Sequence, residues 1–218
     1  MSIFKSEAPN LSKVILDQSA ASVNLQEGEI WNDNVQLSLQ ARTNGQQFAI
    51  QGVYPPNITP VTNTNPTAAT ALMTQAIKAG ALNVVGKYLY ISGAGLYTTA
   101  AAQTPTITIA VTLGAVTLAT WTSAATTASS TNFPWNFDLF LITQTKGSSG
   151  LLESHGIFNV TLGAAAAGAE TSYNDVNTST VGPIDLTAAQ TLSVTGLFST
   201  GNAGNSQSQR LLVIEQAN

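Results

Sequence analysis

Between Thr106 and Thr122 the chain reads TITIAVTLGAVTLATWT, and apolar and polar positions alternate from its first residue. Ile107, Ile109, Val111 and Leu113 fall on one face of an extended strand, with Thr106, Thr108, Ala110 and Thr112 on the other, because successive side chains of a strand point to opposite sides. Gly114-Ala115 interrupts the run as a two-residue hairpin loop with glycine first, the arrangement a type II′ turn prefers. Closing that turn predicts Leu113 opposite Val116, Val111 opposite Leu118 and Ile109 opposite Thr120. Turn and pattern then set the same register.

The same period governs much of the remaining chain. PWNFDLFLITQT places Trp135, Phe137, Leu139 and Leu141 on one face and Asn136 and Asp138 on the other. KGSSG makes a loop, and LLESHGIFNVTL returns with Leu152, Phe158, Val160 and Leu162 against Glu153, His155 and Asn159. Folding about residues 146–150 sets Thr143 opposite Glu153. GKYLYISGAGLYTT reads as a strand in which Gly93 and Gly95 mark a bulge or bend. IDLTAAQTLSVTGLFST and RLLVIE add further β-branched runs, GAAAAGAE at 163–170 begins a loop region, and GNAGNSQSQ at 201–209 carries the glycine and asparagine of a flexible loop. Short alternating strands separated by turn residues predict an all-β protein, an antiparallel sandwich or barrel with one face of each sheet wet. The stretch AATALMTQAIKAGAL stays ambiguous on its own residues: Ala, Leu, Met, Gln and Lys favour a helix, whereas Leu72, Thr74 and Ala76 alternate with Met73, Gln75 and Ile77 as in a strand.

The first 65 residues differ. They gather acidic residues between Glu27 and Asp33 and contain no long apolar run. VQLSLQARTNGQQFAIQGV alternates around Asn44-Gly45, a hairpin signal. YPPNITPVTNTNP follows as an extended connector in which Pro55, Pro56, Pro60 and Pro66 deny helix and central-strand roles. The expected layout is an arm with one hairpin and a proline-rich linker, residues 1–65, then a sandwich, residues 66–218.

Composition sharpens the functional picture. Only 8% of the 218 residues are charged, while 44% are hydrophobic, so Thr, Ser, Asn and Gln take the place of charge on the wet faces, threonine keeping β propensity high. A net charge of −4 with seven scattered basic residues argues against a nucleic-acid partner. There is no cysteine, which removes disulfides, thiolate metal sites and cysteine nucleophiles. MSIFKSEAPNLSK lacks the apolar run of an export signal, and no uncharged stretch stays apolar for the ~20 residues of a membrane helix.

Catalytic chemistry finds little to work with. His155 is the sole histidine. Glu153 and His155 project from one strand face as two ligands, where catalytic zinc needs three. Asp138, Asp175 and Asp185 are the carboxylates available to a Ser-His-Asp relay, but no G-x-S-x-G accompanies them. The expected register separates Asp138 from Glu153, so a glycosidase-like pair is not supported. GAG at 93–95 opens no helix and is no dinucleotide fingerprint. The expectation is no enzyme, no metal and no cofactor. Trp121, Phe133, Trp135 and Phe137 would suit a sugar-stacking platform, yet Trp135 and Phe137 share the buried-face parity, so core and loop-anchoring packing is the expectation for the cluster. Trp31 in EGEIWNDN, with Phe48 and Tyr54, remains as a set of candidate partner contacts in the arm, since interface anchors are enriched in such aromatics.

The succession ALMTQAIKAGALNVVGKYLYISGAGLYTT, PTITIAVTLGAVTLATW, TNFPWNFDLFLIT, IDLTAAQTLSVTGLFS and LLVIEQ resembles the β-sandwich domain of phage and prophage virion structural proteins, over about residues 66–218. The resemblance implies a jelly-roll-like sandwich, a strand rather than a helix in the stretch AATALMTQAIKAGAL, frequent assembly as homotrimers, and no catalysis. The proteins that the chain resembles include capsid decoration (cement) and tail-associated proteins. With the extended arm and the lack of catalytic groups, the leading expectation is a decoration protein on the virion exterior, whose partners are the major capsid protein and further copies of itself, with no nucleic acid and no membrane. The alternative is a tail-fibre or receptor-binding module that recognises a host-surface glycan or protein through the TNFPW aromatics or the 163–183 segment.

Overall fold

The computed structural model describes residues 30–33, 38–43, 46–54, 56–164 and 170–217, with side chains described from Tyr54 onward except at 164, 170–173 and 217. Its strands are β1 (Ile30–Asp33), β2 (Ser38–Thr43), β3 (Gln46–Val53), β4 (Val61–Thr64), β5 (Thr70–Ile77), β6 (Tyr88–Thr98), β7 (Ile107–Leu113), β8 (Val116–Thr122), β9 (Phe133–Thr145), β10 (Gly150–Ala164), β11 (Glu170–Ile184), β12 (Gln190–Phe198) and β13 (Ser206–Ala217). No helix occurs among the described residues, and 70–77 is a strand. The strands form two antiparallel sheets. The larger runs β1-β2-β3-β13-β6-β9-β10-β11, with β4 also on β13, and the smaller runs β5-β12-β7-β8. Along the chain, strands β4, β6, β9 and β13 of one sheet alternate with β5, β7, β8 and β12 of the other, giving a two-sheet antiparallel sandwich to which the β10–β11 hairpin adds two strands.

Alternation builds the core as expected. Leu89 and Ile91 of β6, Ile107, Ile109, Val111 and Leu113 of β7, Phe137, Leu139 and Leu141 of β9, and Leu192 and Val194 of β12 all point inward and are buried. Trp121 of β8 spans the gap between the sheets. It stacks on Phe137 at 5.5 Å and Phe158 at 6.1 Å between ring centres. A β-carbon on Gly156 of β10 would collide with its indole. Nearby, the Ser154 hydroxyl donates across the sandwich to the Leu118 carbonyl, 2.9 Å, satisfying two buried polar groups at once.

Registers differ from expectation by single residues, each time at a bulge. Gly114 takes φ +59°, as a glycine-first turn needs, and Leu113 pairs with Val116. A bulge between Val111 and Thr112 then sets Val111 opposite Ala119 and Ile109 opposite Trp121, so Leu118 and Ala119 are both buried and Trp121 takes the inward place expected of Thr120. At the next hairpin a shift at Leu151/Leu152 sets Glu153 opposite Ile142, not Thr143. A third shift between Val194 and Thr195 lets Leu72 and Met73, neighbours in β5, both turn inward. In each case one extra residue on one strand resets the side-chain parity.

Two expected loops are strands. Ser206–Gln209 opens β13, in the middle of the large sheet, where Gln207 and Gln209 are buried and donate from Nε2 to the carbonyls of Leu197 (3.1 Å) and Leu211 (3.1 Å). The 163–183 segment is the end of β10 and most of the long edge strand β11; the centre of that expected loop, 165–169, lies outside the described residues. The bulge anticipated at Gly93 and Gly95 sits instead on the partner strand, where Gln209 faces Gly95 and Leu211 faces Ala94. The two glycines themselves make room for the rings of Phe137 and Trp135.

The proline-rich connector is extended, as expected, and lies along the outer side of β13. Val53 and Gly52 pair with Glu215 and Gln216, the Tyr54 amide donates to the Ile214 carbonyl (3.1 Å), Asn57 bridges Leu212, and β4 meets Ser206–Gln209. In the arm, Thr43 pairs with Gln46, as the Asn44-Gly45 signal requires; residues 44 and 45 lie outside the description.

Tyr97, at the inner face of β6, donates to the Thr161 carbonyl at 2.5 Å, and burial pushes its phenol up to about 12. A raised tyrosine means that the folded state holds the proton more tightly than the unfolded chain. Its contribution to stability is complete below pH ~10 and is lost as pH rises toward about 12. Urea midpoints measured across that interval will fall steeply for the native chain and less steeply for Tyr97→Phe; parallel slopes would refute this assignment.

Candidate functional site

The outward face of β6, β9, β10 and β11 carries an ordered grid of side chains. Register fixes the first row as Tyr90, Phe140, His155 and Thr178, and the next as Ser92, Asp138, Ile157 and Val176. Between the rows lies a shallow depression of about 390 Å³, lined by Tyr90, Asp138, Phe140, His155, Ile157 and Val176. Its floor is unusually apolar for a wet face: Ile157 and Val176 are exposed, Val176 by 64%, beside a half-buried Phe140 that packs on Tyr88 at 4.9 Å.

Its rim is polar and partly fixed. The Tyr90 hydroxyl donates to Asp138 Oδ1 at 2.5 Å. That bond first, then burial, raises the Tyr90 phenol above the ordinary tyrosine range, so it stays a donor at neutral pH. Across the depression His155 Nδ1 lies 3.3 Å from the Thr178 hydroxyl and Nε2 lies 3.6 Å from Glu153. Thr180 donates to the other Glu153 oxygen at 2.9 Å. One row further, Asn174 donates to Asn159 at 2.8 Å.

Strand alternation places these groups, and it also separates the carboxylates considered for catalysis. Asp138 and His155 share the depression. Asp175 pairs with inward-facing Phe158 and so lies on the opposite face of the sheet. Asp185 sits in the turn after β11, accepting from the Thr187 amide (2.9 Å) and hydroxyl (2.6 Å), which hold its carboxyl below the usual range. Among the described residues no three His, Cys, Asp or Glu side chains gather as a metal site. The arrangement offers hydrogen bonds around an apolar floor, which is the chemistry of binding.

The sequence-predicted contacts are dispersed. Trp31 lies in β1 opposite Gln40 and Phe48 in β3 opposite Ala41, their side chains outside the described residues. Tyr54 is only 2% exposed and part of the core; its ring is spent inside the chain. Trp121 and Trp135 are buried too, at 1% each, Trp135 as its parity indicated, with its indole donating to the Leu96 carbonyl (3.3 Å), and Trp121 through the bulge in the β7–β8 pair; Phe133 is half-buried against the core. The residues that sequence reasoning missed are Tyr90, Phe140, Ile157 and Val176. Their signal was present: each apolar side chain sits on the wet parity of an alternating strand.

No family model matches the chain, and no curated protein sequence matches it. Among solved structures it is similar to the CBM2 module of Lactobacillus casei BL23 phage J-1 evolved Dit, at 14% identity and a TM-score of 0.31 over 93% of this chain and 87% of that one. It is also similar to a chain in the structure of infectious bursal disease virus Gx strain, at 14% identity and a TM-score of 0.27 over 83% of this chain and 50% of that one. Likenesses at this distance transfer no function.

Proposed function

We propose that this chain is a non-enzymatic structural protein of a phage virion, a decoration protein that binds the capsid exterior as a homotrimer and stabilises the shell. The observation that carries the reading is the arm. Strands β1, β2 and β3 continue the large sheet beyond the sandwich and join β13 through two residue pairs, Val53–Glu215 and Gly52–Gln216. A three-stranded extension on so short a seam suits a reach toward a neighbouring subunit, with the sandwich as the body. The succession of elements that resembles virion sandwiches supports the same reading, and so does a low-charge surface, which avoids accumulating like charge in crowded copies.

The test is a truncation placed with care. Removing residues 1–45 leaves β3, Tyr54 and the segment along β13 in place, whereas a cut at 60 would strip a core tyrosine. The full chain, mixed with undecorated capsids, is expected to co-sediment with them and raise their disruption temperature; the truncated chain will do neither. Undiminished binding by the truncated chain would remove the arm's role, and a monomer by light scattering would remove the trimer.

A further inference from the structure

The geometry points to the depression on the outer face of β6, β9, β10 and β11 as a binding site for a neutral saccharide. A pyranose ring presents an apolar C–H face edged by hydroxyls that both donate and accept. Phe140, Ile157 and Val176 supply an apolar floor. Asp138, with Oδ1 occupied by the Tyr90 hydroxyl, keeps acceptor capacity for ligand hydroxyls, since a carboxylate offers about four lone-pair sites. His155 and Thr178 stand across the floor as a second polar edge.

Size and charge separate this ligand from others. A volume of about 390 Å³ falls within the roughly 300–1,000 Å³ of small-molecule sites. Three interstrand steps of about 4.8 Å make the face about 14 Å across, the span of a short oligosaccharide. A patch of that breadth covers on the order of 200 Å², well below the roughly 800 Å² per partner of a stable protein interface. The Asp138 carboxylate repels anions, and the remaining edges are the Tyr90 and Thr178 hydroxyls and the His155 imidazole around a largely aliphatic floor, rather than the aromatic box that captures an ammonium ion. The site lies on the sandwich, apart from the arm, and does not depend on where in a particle the chain sits.

The experiment is a printed array of short oligosaccharides built from neutral hexoses and N-acetylhexosamines, probed with the full chain, with calorimetry on the best binder. Asp138→Asn keeps the side-chain shape and is expected to lower affinity by roughly tenfold or more, because it removes charge-assisted hydrogen bonds. Tyr90→Phe, which frees the carboxylate to turn away, will lower it several-fold, while Thr117→Ala on β8 will leave it unchanged. Far-UV dichroism and urea midpoints confirm that each variant is folded. Three results would overturn the proposal: no array member bound, binding that Asp138→Asn and Tyr90→Phe leave intact, or choline bound in preference to every saccharide. Loss of a native oligomer in Val176→Asp without any saccharide binding would likewise overturn it, identifying the face as a contact between copies.

Discussion

Trp121→Ala will lower the free energy of unfolding by about 3–5 kcal/mol, the largest effect expected of a single truncation in this chain. Trp121 is fully buried and stands between sheets, stacked on Phe137 and Phe158 at 5.5 and 6.1 Å. Alanine leaves a cavity that β9 and β10 cannot close, because their backbones are fixed by register to β6 and to β11. Its indole nitrogen has no hydrogen-bond partner, so removing it restores a small part of the loss, and Trp121→Phe is expected to be milder than its volume suggests. A whole domain is stable by about 5–15 kcal/mol, so the alanine variant will sit near the edge of folding. Guanidinium titrations, with near-UV dichroism to follow the aromatic stack, check both variants. A loss below 1 kcal/mol for alanine would mean that the sheets repack around the gap.

Gly95→Ala is the second large effect, expected at or above the upper end of the about 1–3 kcal/mol range for overpacking. A single added carbon would meet the Ser208 carbonyl oxygen and the Trp135 ring. One is backbone of the adjacent strand, and the other is a buried indole tethered to Leu96, so neither neighbour yields cheaply. The variant will show a lower denaturant midpoint and faster amide exchange in β6 and β13. Gly80→Ala is the contrasting control: a β-carbon there meets nothing within 4 Å, and only its φ of +74° resists substitution.

Periodicity alone exposed the sandwich. β7, β9 and β12 alternate strictly between inward and outward positions, and their apolar faces could be marked residue by residue. What alternation cannot locate is a bulge, because the extra residue is chosen by what lies across the sandwich. Trp121 moves one register place inward because Gly156 leaves a space for its ring. Composition misled at β13 for a related reason. The glycines and asparagines of 201–205 extend a loop reading over SQSQ until Gly196 is seen to leave space for the Gln207 amide and Leu197 to accept its hydrogen bond. The outer-face depression was beyond reach in a different way. Its lining side chains come from four strands, and only the order β6-β9-β10-β11 brings them together. The sequence displays wet-parity apolar residues in each strand, yet not which strands are neighbours.

The position of β13 sets the order of events as the molecule is made. The strand leaves the ribosome after every one of its partners, yet it occupies the middle of the large sheet, joining Tyr88–Thr98 on one side to β3, Asn57 and β4 on the other. Until it arrives, β6 has an open edge, and the segments ahead of it have nothing to lie against. Pairings this distant along the chain make for slow folding, in milliseconds to seconds rather than microseconds. Until β13 is in place each nascent chain carries an unpaired strand edge at β6, the kind of surface on which other chains pair.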